Sequence, residues 1–297
     1  MDTRIEVAIV GGGPAGLTAA TYLRRFLRRC VVIDAGASRA RYIPESHNCP
    51  GFAQGVSGAA LLRNMREQAD SVGVEVVGAR VDGLARSGTA FRITAGPRAW
   101  QASAVILATG LTDRLPDVPW AEAAIAVGAL RLCAICDAFE VRDLDIAVLG
   151  PGATLGRHAM FLRTYSKRIT MIPVDDALDS PSIADARAHG IGLLAGGGRL
   201  EFDGARCTYA PPSAAPVVFD TVYPYLGYRG RHRLLCGVEG ALGDGDELEV
   251  DAHQCTRVPG LYAIGDTASG LNQIAVAVGQ AAIAATHVHN TLPFVPR

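Results

Sequence analysis

Val7-Ala8-Ile9-Val10-Gly11-Gly12-Gly13-Pro14-Ala15-Gly16 carries an apolar run directly into a Gly-x-Gly-x-x-Gly turn. A short run without polar alternation is what a strand buried on both faces of a parallel sheet requires. Leu17 to Arg29 follows with helical patterning and arginines at its end, where the helix dipole favours positive charge. Cys30-Val31-Val32-Ile33 reads as the next strand, and Asp34 stands 18 residues beyond Gly16. Together these form a complete βαβ unit of dinucleotide-binding type. In such a unit Gly11 permits the tight turn, Gly13 lets backbone approach a pyrophosphate, and Gly16 lets the helix pack closely on the strand. Amides at the helix start face the anion, and Asp34 is placed to accept from a ribose 2′-hydroxyl.

Working outward, a second copy of this pattern begins 139 residues later: Glu6 to Gly13 aligns with Asp145-Ile146-Ala147-Val148-Leu149-Gly150-Pro151-Gly152. The register continues without gaps, with Ala20 on Ala159, Tyr22 on Phe161, Leu23 on Leu162 and Arg24 on Arg163. The second unit is degraded. Leu155 occupies the place of Gly16, where bulk is expected to push helix from strand, and Pro173 occupies the place of Asp34. The residues that follow, Val174-Asp175-Asp176, are apolar and acidic, whereas a 2′-phosphate wants arginine.

Between the units, Val74 to Val77, Val81 to Leu84, Phe91 to Ala95 and Val105 to Leu107 read as strands, the last leading into Ala108-Thr109-Gly110. Beyond the second unit, Ala210 to Pro216 reads as a loop, Gly260 to Asp266 as a strand and turn, and Gln273 to His289 as a helix rich in small residues. Pro293 and Pro296 prevent that helix from continuing.

Composition narrows the function classes. The 297 residues suit about two domains. Charged residues are 19% of the chain, against about 25% in ordinary globular proteins, which argues for a large buried core. Lys+Arg 28 against Asp+Glu 29 lacks the basic excess of a nucleic-acid binder. No apolar stretch reads as a membrane span. The N-terminus has no basic region followed by a long apolar run, so no signal peptide is expected. Seven cysteines, mostly scattered, do not resemble a secreted disulfide framework. A cytoplasmic protein is expected.

Cys133-Ala134-Ile135-Cys136-Asp137 is the most informative short stretch. A Cys-x-x-Cys pair is a reversible dithiol, part of a metal site, or two buried cysteines at helical spacing. A zinc site needs two further ligands at suitable spacing, and Cys207, Cys236 and Cys255 are isolated, so no metal is expected. As a dithiol, the pair gains thiolate character from a nearby helix start, and Asp137 adjoins it as a general acid/base. Cys30, Cys49, Cys207, Cys236 and Cys255 read as ordinary small apolar residues, Cys49 standing apart in a Pro-Gly loop.

The combination resembles the low-molecular-weight thioredoxin reductases of the pyridine nucleotide-disulfide oxidoreductase superfamily, over nearly the whole chain. Gly11, Gly13, Pro14, Ala15, Gly16 and Asp34 look like the FAD-binding start. His47-Asn48-Cys49-Pro50-Gly51, with Gly58 to Leu62 and Met65, looks like the next flavin-side loop and helix. Ala108, Thr109 and Gly110 match the exit from the FAD domain. Gly265 and Asp266 resemble the second FAD motif, with Asp266 on the ribityl chain, and Asn272, Gln273 and Ile274 lie near the flavin ring by the same likeness. The resemblance implies an α/β fold with two Rossmann-like, three-layer ββα dinucleotide-binding domains, and a homodimer. The FAD domain is expected to be discontinuous, residues 1–115 and 223–297, with 116–222 inserted and carrying the cysteine pair. It also implies that Cys136 faces the flavin as the charge-transfer thiolate, while Cys133 attacks the substrate disulfide.

Family members hold NADPH with an intact second glycine motif and an arginine-bearing segment. Here those positions fall on Leu155, Val174 and Asp175, so efficient NAD(P)H use is not expected. Some relatives without a working NADPH site take electrons from ferredoxin. Others oxidise small-molecule dithiols and pass electrons from FAD to oxygen. The leading expectation is an FAD-dependent disulfide oxidoreductase acting on a thioredoxin-like protein or a small dithiol or disulfide, with ferredoxin or oxygen as further redox partners. The alternatives are an oxygen-dependent dithiol oxidase and a non-enzymatic flavoprotein redox sensor.

Overall fold

The computed structural model describes residues 3–230, 232–238, 248–268, 270–294 and 296. The first unit forms as its sequence dictates, with β1 (Thr3–Val10), α1 (Pro14–Arg25) and β2 (Cys30–Asp34). Helix α1 starts at Pro14, whose ring presets a helical φ. It stops at Arg25 rather than Arg29, because Leu27 takes a left-handed φ of 63° and turns the chain into β2. Helix α2 (Gly58–Ser71) is capped by Ser57, whose hydroxyl accepts from the Ala60 amide. Strands β3 (Glu75–Gly78), β4 (Gly83–Ser87), β5 (Ala90–Ala95) and β6 (Arg98–Leu107) follow.

Strand β6 is much longer than its apolar end suggests. Its first half pairs antiparallel with β5 and it runs parallel to β1 from Trp100 to Leu107, so only the second half has the apolar signature of a parallel core. The chain then passes through β7 (Leu111–Asp113), α3 (Ala121–Ala126) and the short α4 (Ala134–Asp137). The second unit is β8 (Ile146–Gly150), α5 (Gly152–Arg163) and β9 (Ile169–Pro173), the last displaced by 139 residues from β2 at both ends. After α6 (Pro181–Ala188) and β10 (Gly192–Leu193), β11 (Arg199–Phe202), β12 (Cys207–Ala210) and β13 (Val217–Phe219) form an antiparallel sheet. The remaining elements are β14 (Thr221–Pro224), β15 (Tyr228–Gly230), β16 (Leu261–Ala263) and α7 (Ile274–Thr291).

The main sheet has the order β3-β2-β1-β6-β5-β4, with β16 parallel to β6. The second sheet, β10-β9-β8-β14, is wholly parallel and repeats the central β3-β2-β1-β6 arrangement. These are two Rossmann-like domains in an α/β fold. Where the chain leaves the first sheet and where it returns, β7 and β15 pair antiparallel as a two-stranded ribbon. A return boundary at 222/223 falls inside β14, which stays paired with β8 through Pro224.

The main sheet is covered on both faces. One face meets α1 and α7, burying Leu17 and Leu23 against Ala277, Ala281, Ala284 and Ala285. The small side chains of α7 let the two helices lie close, and each buried leucine contributes about 1.5–3 kcal/mol. In the second domain Leu155 is fully buried among Val148, Ala159 and Leu162. The bulk that replaces a glycine there is absorbed as core. Among the described residues no helix is long and apolar enough to cross a membrane.

Candidate active site

A cleft opens at the carboxyl ends of β1 and β6 and extends to α4 of the second domain. The glycine turn forms its floor. Gly11 has a φ of +111°, and a Cβ there would lie 2.2 Å from the Ala108 carbonyl oxygen, so only glycine fits. Gly13 caps α1 with no side chain on the first-turn amides. Gly13, Pro14 and Ala15 line the cleft. Gly16 does not: a Cβ there would be 1.9 Å from the Gly11 carbonyl oxygen, so this glycine supports the turn from beneath. Asp34 ends β2 beside the turn, where a Cβ on Gly12 would come within 2.7 Å of its carboxyl.

Ala108, Thr109 and Gly110 form the adjoining wall, with the Thr109 and Thr267 hydroxyls 2.6 Å apart. Gly265 and Asp266 follow β16 into a 3-10 turn on the same wall. The Gly265 amide donates to Gln280 Oε1 at 2.7 Å. Arg39, which sequence reasoning missed, donates to both Asp113 oxygens at 2.6 and 2.8 Å and to Asp266 at 3.2 Å. Its place at the start of a one-turn 3-10 helix, Arg39–Tyr42, carries no periodic signal; only the fold brings it to these two carboxylates.

At the far end, Cys133 and Cys136 form a disulfide of 2.04 Å. Cys133 caps α4, its sulfur accepting from the Cys136 amide at 3.2 Å. Asp137 is held by the Tyr223 hydroxyl at 2.7 Å and by Arg131 at 3.0 Å. Burial pushes its carboxyl above the ordinary carboxylate range, against the opposing pull of Arg131 and Tyr223. Tyr223 lies 86 residues away in the chain and leaves no motif to detect it. Gln273 stands at the start of α7 with Ile274 as its first helical residue, and both line the cleft. The Gln273 amide nitrogen lies 3.3 Å from Cys136 Sγ and 3.5 Å from Cys133 Sγ. Asn48 donates to Gln273 Oε1 at 2.9 Å.

Of the remaining cysteines, Cys30, Cys49 and Cys207 are buried and Cys255 half-buried; burial pushes the Cys30 thiol up to about 12 and Cys207 to about 11. Cys49 sits in an apolar cluster with Val56 and Leu61. The Cys236 side chain lies outside the described residues.

The cleft fits a dinucleotide flavin. Its glycine floor presents first-turn amides without a side-chain cap. Two lining residues also hold buried polar atoms with no protein partner, Arg131 Nε and Asn272 Oδ1.

The equivalent turn of the second domain is built differently. The Gly152 amide, at the start of α5, donates to Asp175 Oδ1 at 2.9 Å, and the Ala177 amide donates to the same oxygen at 3.2 Å. A Cβ on Gly152 would come within 2.1 Å of the Ala177 carbonyl oxygen. Gly150 backs onto Tyr225, whose ring stacks on His158 at 3.7 Å between centroids. The protein's own carboxylate therefore satisfies the amide of Gly152, the counterpart of Gly13 in the first unit.

The profile of the family described as Pyridine nucleotide-disulphide oxidoreductase matches residues 5–281. The thioredoxin reductase of Treponema pallidum is 28% identical over 96% of this chain and 96% of its own length. That of Mycolicibacterium smegmatis is 35% identical over 62% of this chain, and the match spans 60% of the relative's length. The crystal structure of thioredoxin reductase from Streptococcus pyogenes superimposes with a TM-score of 0.88 at 26% identity, covering 98% of both chains.

Proposed function

The chain belongs to the pyridine nucleotide-disulphide oxidoreductase family, in its low-molecular-weight thioredoxin reductase branch, and from that premise we propose that it is an FAD-dependent disulfide oxidoreductase that makes no efficient use of NADPH. The observation that carries the second half of this reading is the Asp175 carboxylate seated on the Gly152 amide. A pyridine nucleotide's pyrophosphate needs that amide, and a carboxylate there both occupies and repels it. Each charge-assisted hydrogen bond lost to a phosphate is worth roughly 1.5–3 kcal/mol, so two losses weaken binding by roughly a hundredfold or more. Pro173 has no acceptor for a ribose hydroxyl, and Val174 and Asp176 bring no positive charge.

On this reading Gly11, Gly13, Pro14, Ala15 and Asp34 hold the adenylate and pyrophosphate of FAD. Ala108, Thr109, Gly110, Gly265 and Asp266 hold its middle, and Gln273, Ile274 and the cysteine pair border the ring. When bound, FAD supplies two-electron chemistry next to the disulfide. The chain's own residues handle sulfur and protons. A substrate thiolate attacks Cys133 and displaces Cys136 as thiolate. Asp137, its carboxyl raised by burial and positioned by Tyr223 and Arg131, is the group placed to exchange the proton that sulfur takes up or gives away. The substrate is a thioredoxin-like protein or a small molecule with two thiols.

The covered second site also favours a narrower reading. With the family's usual electron donor set aside on this reading, electrons enter from a dithiol and leave to oxygen, or enter from ferredoxin and leave to a disulfide. We expect a cytoplasmic homodimer, divided near 115 and near the β15 ribbon.

The test is anaerobic stopped-flow mixing of the yellow protein with NADPH, NADH and dithiothreitol in turn. Dithiothreitol is expected to bleach the flavin, and the nucleotides at micromolar concentration are not. Fast, saturable bleaching by NADPH would return the chain to the ordinary NADPH-dependent reductases.

A further inference from the structure

The Gln273 amide nitrogen approaches both sulfurs of the disulfide, at 3.3 and 3.5 Å. The polarity of this amide is fixed by its surroundings. The Asn272 carbonyl oxygen, 2.9 Å away, can only accept, so the side-chain atom facing it is the nitrogen. The other end, Oε1, accepts from Asn48 Nδ2 at 2.9 Å, and Asn48 Oδ1 accepts from the Ser46 hydroxyl at 2.9 Å. Ser46 is itself buried and locked by a two-way backbone pairing with Val56. The chain Ser46–Asn48–Gln273 thus runs in one direction from the first domain to the sulfurs of the second. One Gln273 N–H is taken by Asn272, and the other is shared between the two sulfurs.

We propose that Gln273 is a catalytic residue of the sulfur chemistry, donating its free N–H to the thiolate formed when the disulfide opens, with Asn48 and Ser46 as its positioning residues. This deepens the assignment of Cys133 and Cys136 as the redox pair and rests on it. In the exchange step a substrate thiolate forms a bond to Cys133 Sγ. The Cys133–Cys136 bond breaks, and its electron pair stays on Cys136 Sγ as thiolate. The second substrate thiol then attacks the substrate sulfur of the mixed disulfide and breaks its bond to Cys133, whose released sulfur takes up the proton the attacking thiol gives up. The substrate dithiol is oxidised to a disulfide and the pair is reduced. A disulfide sulfur is a weak acceptor and a thiolate a strong one, so the Gln273 N–H favours the reduced pair over the oxidised one. The amide therefore raises the tendency of the pair to accept electrons from a dithiol.

The experiment compares holoprotein variants in anaerobic glutathione redox buffers without pyridine nucleotide. Rapid alkylation and mass spectrometry read the fraction of Cys133 and Cys136 reduced. Gln273→Leu keeps the size and removes the donor; Gln273→Glu keeps the shape and the bond from Asn48 but presents an acceptor. Both are expected to lower the equilibrium constant for reduction of the pair about tenfold, or about 30 mV for this two-electron couple. Asn48→Ala, which frees the amide to turn, is expected to shift it in the same direction by less. Wild-type constants in both Gln273 variants would overturn the proposal. If Gln273→Leu does not load flavin, Gln273→Glu alone decides. Failure of Cys133 and Cys136 to exchange with the buffer in the wild-type protein would instead sink the redox-pair assignment.

Discussion

The two sulfurs differ in what surrounds them, and that difference is testable by single substitution. Cys133 accepts an amide hydrogen bond at the start of α4, while Cys136 is the nearer of the two to the Gln273 amide. On the reading that puts Cys136 against the flavin, Cys133→Ser is expected to show a long-wavelength charge-transfer band and no turnover, and Cys136→Ser to lose the band. Absorption spectra of the two holoproteins check this, and the opposite pattern would exchange the two roles. Asp137 carries the second prediction at this scale. Burial raises its carboxyl in the folded protein, so its protonated form persists above the ordinary carboxylate range. A group shifted this way contributes stability at low pH and loses it as pH rises through the folded value. As a proton donor it therefore gives a limb of activity that falls with rising pH, placed above the ordinary carboxylate range. Asp137→Asn is expected to abolish that limb and reduce turnover about a hundredfold or more. A pH–rate profile unchanged by the substitution would remove Asp137 from the proton path.

At the level of elements, the same βαβ unit is used twice with opposite outcomes. In α1 the first-turn amides have no side-chain cap and open on a cleft. In α5 the first amide is satisfied by Asp175 from the loop after β9. That carboxylate is an N-terminal cap, favoured by the helix dipole as well as by the hydrogen bond. Asp175→Ala should therefore cost about 1 kcal/mol, read as a fall of roughly 2–4 °C in the thermal midpoint. It should not make NADPH an efficient reductant, because Pro173, Val174 and Asp176 still provide neither a ribose acceptor nor a positive charge. Rapid flavin reduction by NADPH in Asp175→Ala would mean that this carboxylate alone keeps the nucleotide out.

Across the whole molecule, distant segments are joined by a few buried polar groups. Arg28, only 6% exposed, donates to Glu6 on β1, to His289 Nδ1 and its carbonyl oxygen on α7, and to the Pro293 carbonyl oxygen beyond it. It thereby ties the first strand, the turn after α1 and the C-terminal segment into one cluster. Arg28→Ala empties the buried place of the guanidinium and leaves the half-buried Glu6 and His289 without their donor, and is expected to destabilise the protein by about 2 kcal/mol. Denaturant unfolding of the holoprotein measures this, and a loss below 1 kcal/mol would show that water replaces the guanidinium. Between the domains, the Tyr42 hydroxyl reaches Glu122 at 2.8 Å on one side of the cleft. The Gln273 amide reaches the disulfide on the other.

Local chemistry alone determined the parts of this protein whose cause is local. A glycine at Gly11 answers a backbone constraint, an apolar run at Val7 to Val10 answers burial on two faces, and a Cys-x-x-Cys spacing answers the reach of a disulfide. These constraints act over a few residues, so the two βαβ units, the degraded second motif and the cysteine pair were all legible. The start of β6 was not, because its antiparallel half alternates and carries no continuous apolar signal. Nor were the partners of the site. Tyr223 on Asp137, Arg39 between Asp113 and Asp266, and Asn48 on Gln273 are separated by tens to hundreds of residues. Asp175 was legible as a missing positive charge but not as the ligand of the Gly152 amide. Its role depends on how the loop after β9 folds back over the start of α5. Only tertiary structure decided these contacts, because a buried polar group takes whichever partner the packing brings within about 3 Å.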